Sequence, residues 1–146
     1  MQESSLLIRK FHENDEQRLV SLWKVCRLTV PWNNPHKDIS RKLSVQPELF
    51  LVGLFEENLI ASVMAGYDGH RGWINYLAVH PDFQKRGFGK QLMVKVENEL
   101  RELGCPKINL QIREGNEKVL SYYLKLGFFE EKNISMGKRL EDDQVL

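Results

Sequence analysis

One short stretch brings together the residue types that bind a phosphorylated ligand: Gln84, Lys85, Arg86, Gly87, Phe88 and Gly89, with an apolar run before them and a helical pattern behind. Glycines let backbone amides approach an oxyanion closely, and the first turn of a helix carries unpaired N–H groups and about half a positive charge. Lys85, Arg86 and Lys90 place cationic side chains where phosphates would lie. By themselves the residues also fit a plain connection in which two glycines join a strand to a helix. Two other phosphate motifs fit less well. Gly87-Phe88-Gly89 lacks the third glycine of a dinucleotide fingerprint, and Gly89-Lys90 is followed by Gln91 rather than the Ser or Thr of a Walker loop.

Such a turn needs a strand before it and a helix after it, and the pattern supplies both. Residues 49–55, 59–67 and 71–79 read as three strands of an antiparallel meander, with Glu57-Asn58 and Asp68-Gly69 as turn residues. From Gly89 onward Leu92, Met93, Val96, Leu100 and Leu103 follow helical spacing, and Gly104 suits the left-handed position that ends a helix. Upstream, residues 6–10 read as a short strand. Asn14, with Gln17 three residues later, resembles a capping box for a helix whose buried stripe is Leu19, Leu22, Trp23 and Cys26. Pro31 and Pro35 interrupt regular structure over residues 27–35, a loop carrying Trp32, Asn33 and Asn34, and a short helix is expected from Asp38. Downstream, residues 108–112 alternate as a strand, Asn116 caps a helix to Leu126, and Gly127 sits just past its end. Closing strands are expected over about 128–132 and 134–140. The expected fold is a single α/β domain over residues 1–146, with a mixed, mostly antiparallel sheet of six to seven strands flanked by about four helices.

A chain of 146 residues buries a real core without disulfides or metal. Twenty-one basic against twenty acidic residues leave a formal charge of +1, so no global field recruits nucleic acid or an anionic membrane surface. Phosphate binding must then be local. Cys26 and Cys105 lie far apart with no C-x-x-C spacing, which points to two reduced thiols in a cytoplasmic protein rather than to a disulfide framework or zinc site. No run approaches the roughly 20 apolar residues that span a bilayer, and residues 1–10 lack an apolar run behind basic residues. Neither secretion nor membrane insertion is expected, and residues 141–146 read as a frayed end.

Taken together, these motifs resemble those of the GNAT superfamily of N-acetyltransferases, in its small bacterial single-domain form. The family signature is Gln or Arg, two residues, Gly, one residue, then Gly or Ala, and Gln84, Gly87 and Gly89 match it. A second family pattern falls on Asn116, Val119, Tyr123, Gly127 and Phe128. The resemblance covers essentially the whole chain and is stronger in its C-terminal half. It implies acetyl-CoA as co-substrate, no metal, and transfer of the acetyl group to a primary amine, whether a small amine or a peptide or protein N-terminus, by direct attack on the thioester.

Carried over residue by residue, backbone groups of Leu77, Ala78 and Val79 would pair with the pantetheine arm as another strand would. Amides of Gln84, Lys85, Arg86, Gly87, Phe88, Gly89 and Lys90 would hold the pyrophosphate, and Asn116 would hydrogen-bond the arm. Tyr123 resembles the family's general acid, a phenol that protonates the departing thiolate. The family spacing from Asn116 to Gly127 selects Tyr123 and leaves adjacent Tyr122 as packing. Val119, Tyr123 and Leu126 also share helical spacing, so the residues alone leave Tyr123 open as a core side chain with a tied hydroxyl.

Acetyl transfer requires a neutral amine and a donor for the developing oxyanion, here a backbone N–H near Leu77. Relatives often carry a glutamate on the fourth or fifth strand, but residues 73–79 contain no acid and the fifth strand offers Gln111. A free lysine is neutral in about one molecule in 2,500 at pH 7, a deficit of about 4.6 kcal/mol; an α-amine faces only about 1 kcal/mol. Gln111 therefore favours less basic amines. Glu114, Asp68 and His70 are candidate water-mediated bases or simply solvated turn residues. The resemblance puts the acceptor groove between the 27–35 loop and Asn133 and Ile134, with Trp32, Asn33 and Asn34 as aromatic wall and amides. The loop holds no acidic cluster, which argues against polyamine or aminoglycoside acceptors. Both monomer and homodimer fit. The competing class is a non-catalytic acyl-CoA sensor using the same turn, and a longer acyl donor is a third reading.

Overall fold

The computed structural model of the chain describes residues 5–144. Five strands form one sheet in the order β1-β2-β3-β4-β5. They are β1 (Leu7–Lys10), β2 (Phe50–Phe55), β3 (Asn58–Tyr67), β4 (Gly72–Val79) and β5 (Ile108–Asn109). The first four are antiparallel neighbours, as the meander predicts, whereas β5 runs parallel to β4. A parallel neighbour requires a long crossover, and α3 (Phe88–Glu102) provides it. Helices α1 (Glu16–Val25) and α2 (Pro35–Lys42) separate β1 from β2, and α4 (Glu117–Lys125) follows β5.

The run Phe50-Leu51-Val52 in β2 is apolar at every position because both faces of the sheet are covered. Phe50 and Val52 pack with Leu19, Trp23 and Ile39 of α1 and α2. Leu51 faces the other way, onto Leu92, Met93, Val96 and Leu100, the apolar stripe of α3. Each such side chain contributes about 1.5–3 kcal/mol of burial. The sheet is thereby fixed between α1 and α2 on one face and α3 on the other.

Four local expectations are corrected. A 3-10 turn, Glu13–Asp15, precedes α1, and Asp15 rather than Asn14 organises it, accepting from the His12 N–H at 2.9 Å and from Arg9 at 2.7 and 3.0 Å. The short helix begins at Pro35, not Asp38: Asn34 Oδ1 accepts the amides of His36 and Lys37 at 3.0 and 3.3 Å, and Pro35 occupies the first helical position, where a missing N–H costs nothing. No strand forms over 128–132 or 134–140, and β5 spans two residues, so among the described residues the sheet has five strands rather than six to seven. Phe129, Ile134, Met136 and Leu140 are exposed, and with no packed face to support it β propensity does not act. Side chains tie this segment instead, with Lys107 on Glu131 and Gln111 on Ser135. The end expected to fray at 141–146 is anchored where it is described, because Asp143 is buried and accepts from Arg41 at 2.6 and 2.9 Å; Val145 and Leu146 lie outside the described residues.

Candidate active site

The geometry of the site starts with a bulge in β4. Ser62 pairs with Ala78 and Met64 with Asn75, so Tyr76 and Leu77 together oppose Val63 alone. Tyr76 takes φ +52°, a left-handed conformation that costs a non-glycine residue about 1–3 kcal/mol and must be held by its surroundings. Trp23 stacks on the Tyr76 ring at 3.7 Å between centroids and donates its indole N–H to Ser62 Oγ at 2.9 Å. Ser62 in turn donates to the Tyr76 carbonyl at 2.8 Å, and the Tyr76 hydroxyl donates to Asp38 Oδ2 at 2.6 Å. Burial, and then the Asp38 carboxylate, push the Tyr76 phenol far above its ordinary value, so it stays a donor. β4 parts from β5 before the bulge, their pairing ending at Trp73 and Asn109. Leu77, Ala78 and Val79 therefore present an edge that β5 does not cover. Of their carbonyls, that of Val79 is engaged by Gln84 Nε2 at 3.0 Å and by the Cys26 thiol at 3.5 Å.

The chain then turns into α3. His80 caps the 3-10 turn Pro81–Phe83, its Nδ1 accepting the Asp82 amide at 3.1 Å, and its own N–H donates to the Ile60 carbonyl at 2.7 Å. Lys85 at φ +65° and Gly87 at φ +81° swing the backbone into the helix, with Gly87 as N-cap. Among the described residues no backbone N–H from Gln84 to Lys90 donates to a protein acceptor. These seven consecutive amides lie at the positive end of a 15-residue helix, an arrangement suited to an anion. The side chains divide: Lys85 and Lys90 are exposed, whereas the Arg86 guanidinium lies over the Phe83 and Phe55 rings at 5.1 and 5.8 Å.

Two phenols approach this region from α4. A Cβ on residue 89 would meet the Tyr122 hydroxyl, so Tyr122 lies against the start of α3 and would have to give way to any larger residue there. Tyr123 is buried, edge-on to Tyr122 and Phe128 at 5.3 and 5.4 Å, and its hydroxyl has no protein acceptor among the described residues. Burial, and then the neighbouring Tyr122, raise its phenol far above the usual value, so it remains protonated at neutral pH. Tyr123 lines a cleft of about 990 Å³ together with Gln111, Glu114, Asn116, Asn133 and Ile134. Asn116 also caps α4, accepting the Val119 amide at 3.4 Å.

A second cavity, of about 540 Å³, lies on the α2 side of the bulge and is lined by Asn33, Asp38, Lys42, Met64, Asn75 and Tyr76, among others. Asn33 also accepts from Arg139, whereas Gln111 lines the larger cleft. Asn34 is occupied as the cap of α2, and exposed Trp32 packs under the Arg113 guanidinium at 5.7 Å. The 27–35 loop has no acid of its own, but α2 brings Asp38 to its cavity. Sequence spacing missed Asp38, Lys42, Asn75 and Tyr76 because nothing local links α2 to β4. Among the candidate bases, Asp68 accepts from the amides of His70 and Arg71 at 2.8 and 2.7 Å, which hold its carboxyl below the usual range and commit it to the hairpin turn. Among the described residues no three of His, Cys, Asp and Glu converge as a metal site, and no helix is long and apolar enough to cross a membrane.

A bulged strand, a glycine-capped helix N-terminus and a phenol on the following helix thus lie side by side. The sequence profile of the acetyltransferase (GNAT) family matches residues 12–128. An acetyltransferase of Yersinia enterocolitica is 47% identical over 137 residues, covering 94% of this chain and 97% of that relative. Among solved structures, Ard1 from Thermoplasma volcanium superposes with a TM-score of 0.69 at 23% identity, over 85% of this chain and 82% of that one. An aminoglycoside N-acetyltransferase in complex with a coenzyme A bisubstrate analogue gives 0.76 at 21% identity, over 93% and 99%. The chain belongs to the acetyltransferase (GNAT) family and is an acyltransferase by class.

Proposed function

We propose that the protein transfers the acetyl group of acetyl-CoA to a primary amine, a small amine or a peptide N-terminus, by direct attack on the thioester. The observation that carries this reading is the row of unpartnered amides from Gln84 to Lys90 beside the uncovered edge of β4. The amides hold the pyrophosphate, with Lys85 and Lys90 adding charge, and Leu77 to Val79 align the pantetheine arm. Asn116 contributes its side-chain amide from the start of α4.

A C–N bond forms as the C–S bond breaks, and Tyr123 gives its proton to the departing thiolate while the amine releases one to water. A backbone N–H at Leu77 meets the developing oxyanion. A buried phenol whose hydroxyl has no protein acceptor is suited to the acid role, because it is protonated and free to turn to sulfur. The test is thiol release from acetyl-CoA across a panel of amines, comparing wild type with Tyr123→Phe. Turnover reduced about 10²–10⁴-fold with acetyl-CoA affinity kept supports the assignment. Equal turnover by the two proteins removes Tyr123 as the acid.

A further inference from the structure

The cavity on the α2 side of the bulge has walls of opposite charge. Asp38, Arg41 and Lys42 stand at i, i+3 and i+4 and so share one face of α2, the face that lines the cavity. Asp38 is held in place: Oδ2 receives the Tyr76 hydroxyl at 2.6 Å, and Oδ1 stands 3.6 Å from Arg41 Nη1, beyond hydrogen-bond distance. That second oxygen can still accept an N–H. Tyr76 directly precedes Leu77, so Asp38 is anchored next to the strand edge assigned above to the acetyl donor.

The two cations of this face differ. Arg41 is filled by the tail, with Asp143 at 2.6 and 2.9 Å and Glu141 at 3.0 Å. Lys42 forms no ion pair among the described residues, and burial lowers the pKa of its ammonium, with Glu48 the one charge opposing that shift. Its Nζ lies against β3, 3.5 Å from where a Cβ on residue 66 would be. A half-buried cation that Glu48 favours from a distance but does not ion-pair carries a desolvation cost that an anionic ligand would offset. Between the two charges the walls are apolar at Leu28 and Met64 and amide at Asn75, and about 540 Å³ suits a small molecule.

We infer that this cavity takes a small amine that also bears a carboxylate, an amino-acid-like zwitterion, with Asp38 accepting an N–H of the amine and Lys42 pairing with the carboxylate. The assignment rests on the reading of the protein as an amine acetyltransferase and narrows its acceptor class.

The experiment uses the whole protein with acetyl-CoA and matched acceptors: each common α-amino acid against its carboxamide, and phosphoethanolamine against ethanolamine. Amino acids should be acetylated with kcat/KM at least tenfold above their amides. Lys42→Met should raise KM for the acids at least tenfold more than for the amides, and Lys42→Arg should restore the preference. Asp38→Asn should raise KM for both. Binding is read independently of turnover: with free coenzyme A present, an amino acid should raise the melting temperature and its amide should not. Acids and amides used or bound alike, or Lys42→Met weakening both equally, would overturn the zwitterion assignment while leaving amine acetylation standing. A preference for phosphoethanolamine would replace the carboxylate with a phosphate and overturn it too. Acetyl-CoA without effect on the melt, with no amine consumed, would instead sink the reaction itself.

Discussion

Ser62 is the joint between core and site, and Ser62→Ala tests how the bulge is held. Its hydroxyl is fully buried and uses both of its functions, accepting from Trp23 Nε1 at 2.9 Å and donating to the Tyr76 carbonyl at 2.8 Å. Removing it leaves a buried indole N–H unpaired and deprives the carbonyl of this donor, at about 1–3 kcal/mol for each group. The sum, about 2–6 kcal/mol, corresponds to a fall in melting temperature of about 5–20 °C for a chain of this size. Tyr76 at φ +52° also loses part of what fixes it, so the β4 edge loosens and acetyl-CoA affinity should drop with stability. Calorimetry and an acetyl-CoA titration on the same samples read both effects. Trp23→Phe removes the donor alone, and because the two residues share one network the double variant should cost less than the sum of the single ones. A Ser62→Ala protein that melts within about 2 °C of wild type and binds acetyl-CoA unchanged refutes the argument.

Gly89→Ala places a Cβ on the Tyr122 hydroxyl, so Tyr122 or the start of α3 must shift; isothermal titration should show acetyl-CoA binding weakened at least about tenfold, about 1.4 kcal/mol. Tyr122→Phe removes that hydroxyl and should relieve part of the loss when combined with Gly89→Ala. Burial would raise the Asp15 carboxyl, but Arg9, the His12 amide and Arg18 together hold it at about 2. Its folded value lies below its unfolded one, so its stabilisation is present above the ordinary carboxylate pKa of about 3.9 and is lost as pH falls toward 2. Melting curves between pH 5 and 2 should therefore be flatter for Asp15→Asn than for wild type, and parallel curves would contradict the assignment.

The parts of the fold legible in the sequence are those whose signals are local. Gly87 reaches φ +81° where a strand must turn into a helix, and of the stripe read by spacing Leu92, Met93, Val96 and Leu100 are buried, whereas Leu103 at the helix end is exposed. Asn34 carried a local signal as well, an Asn directly before Pro35, which is a helix-start signature and places its side chain on the backbone of α2. The Asp38–Tyr76 bond spans 38 residues and forms because α2 docks over the bulge, a tertiary event without a spacing rule. Tyr122 meets Gly89 through the placement of α4 beside α3, which helical periodicity does not encode. The closing strands failed for the opposite reason. Their β-like composition is real, but no neighbouring face covers Ile134, Met136 and Leu140, and a strand's preference is mostly the packing it receives.

The most direct measurement is a thermal melt of the wild-type protein with acetyl-CoA, free coenzyme A and NAD as parallel ligands. At about 100 times its dissociation constant, acetyl-CoA should add about 2.7 kcal/mol and raise the midpoint by about 5–10 °C, with coenzyme A acting similarly and NAD giving no shift. An unchanged midpoint with acetyl-CoA, or an equal shift with NAD, contradicts the claim that the amides from Gln84 to Lys90 and the bulged edge of β4 form an acetyl-CoA site.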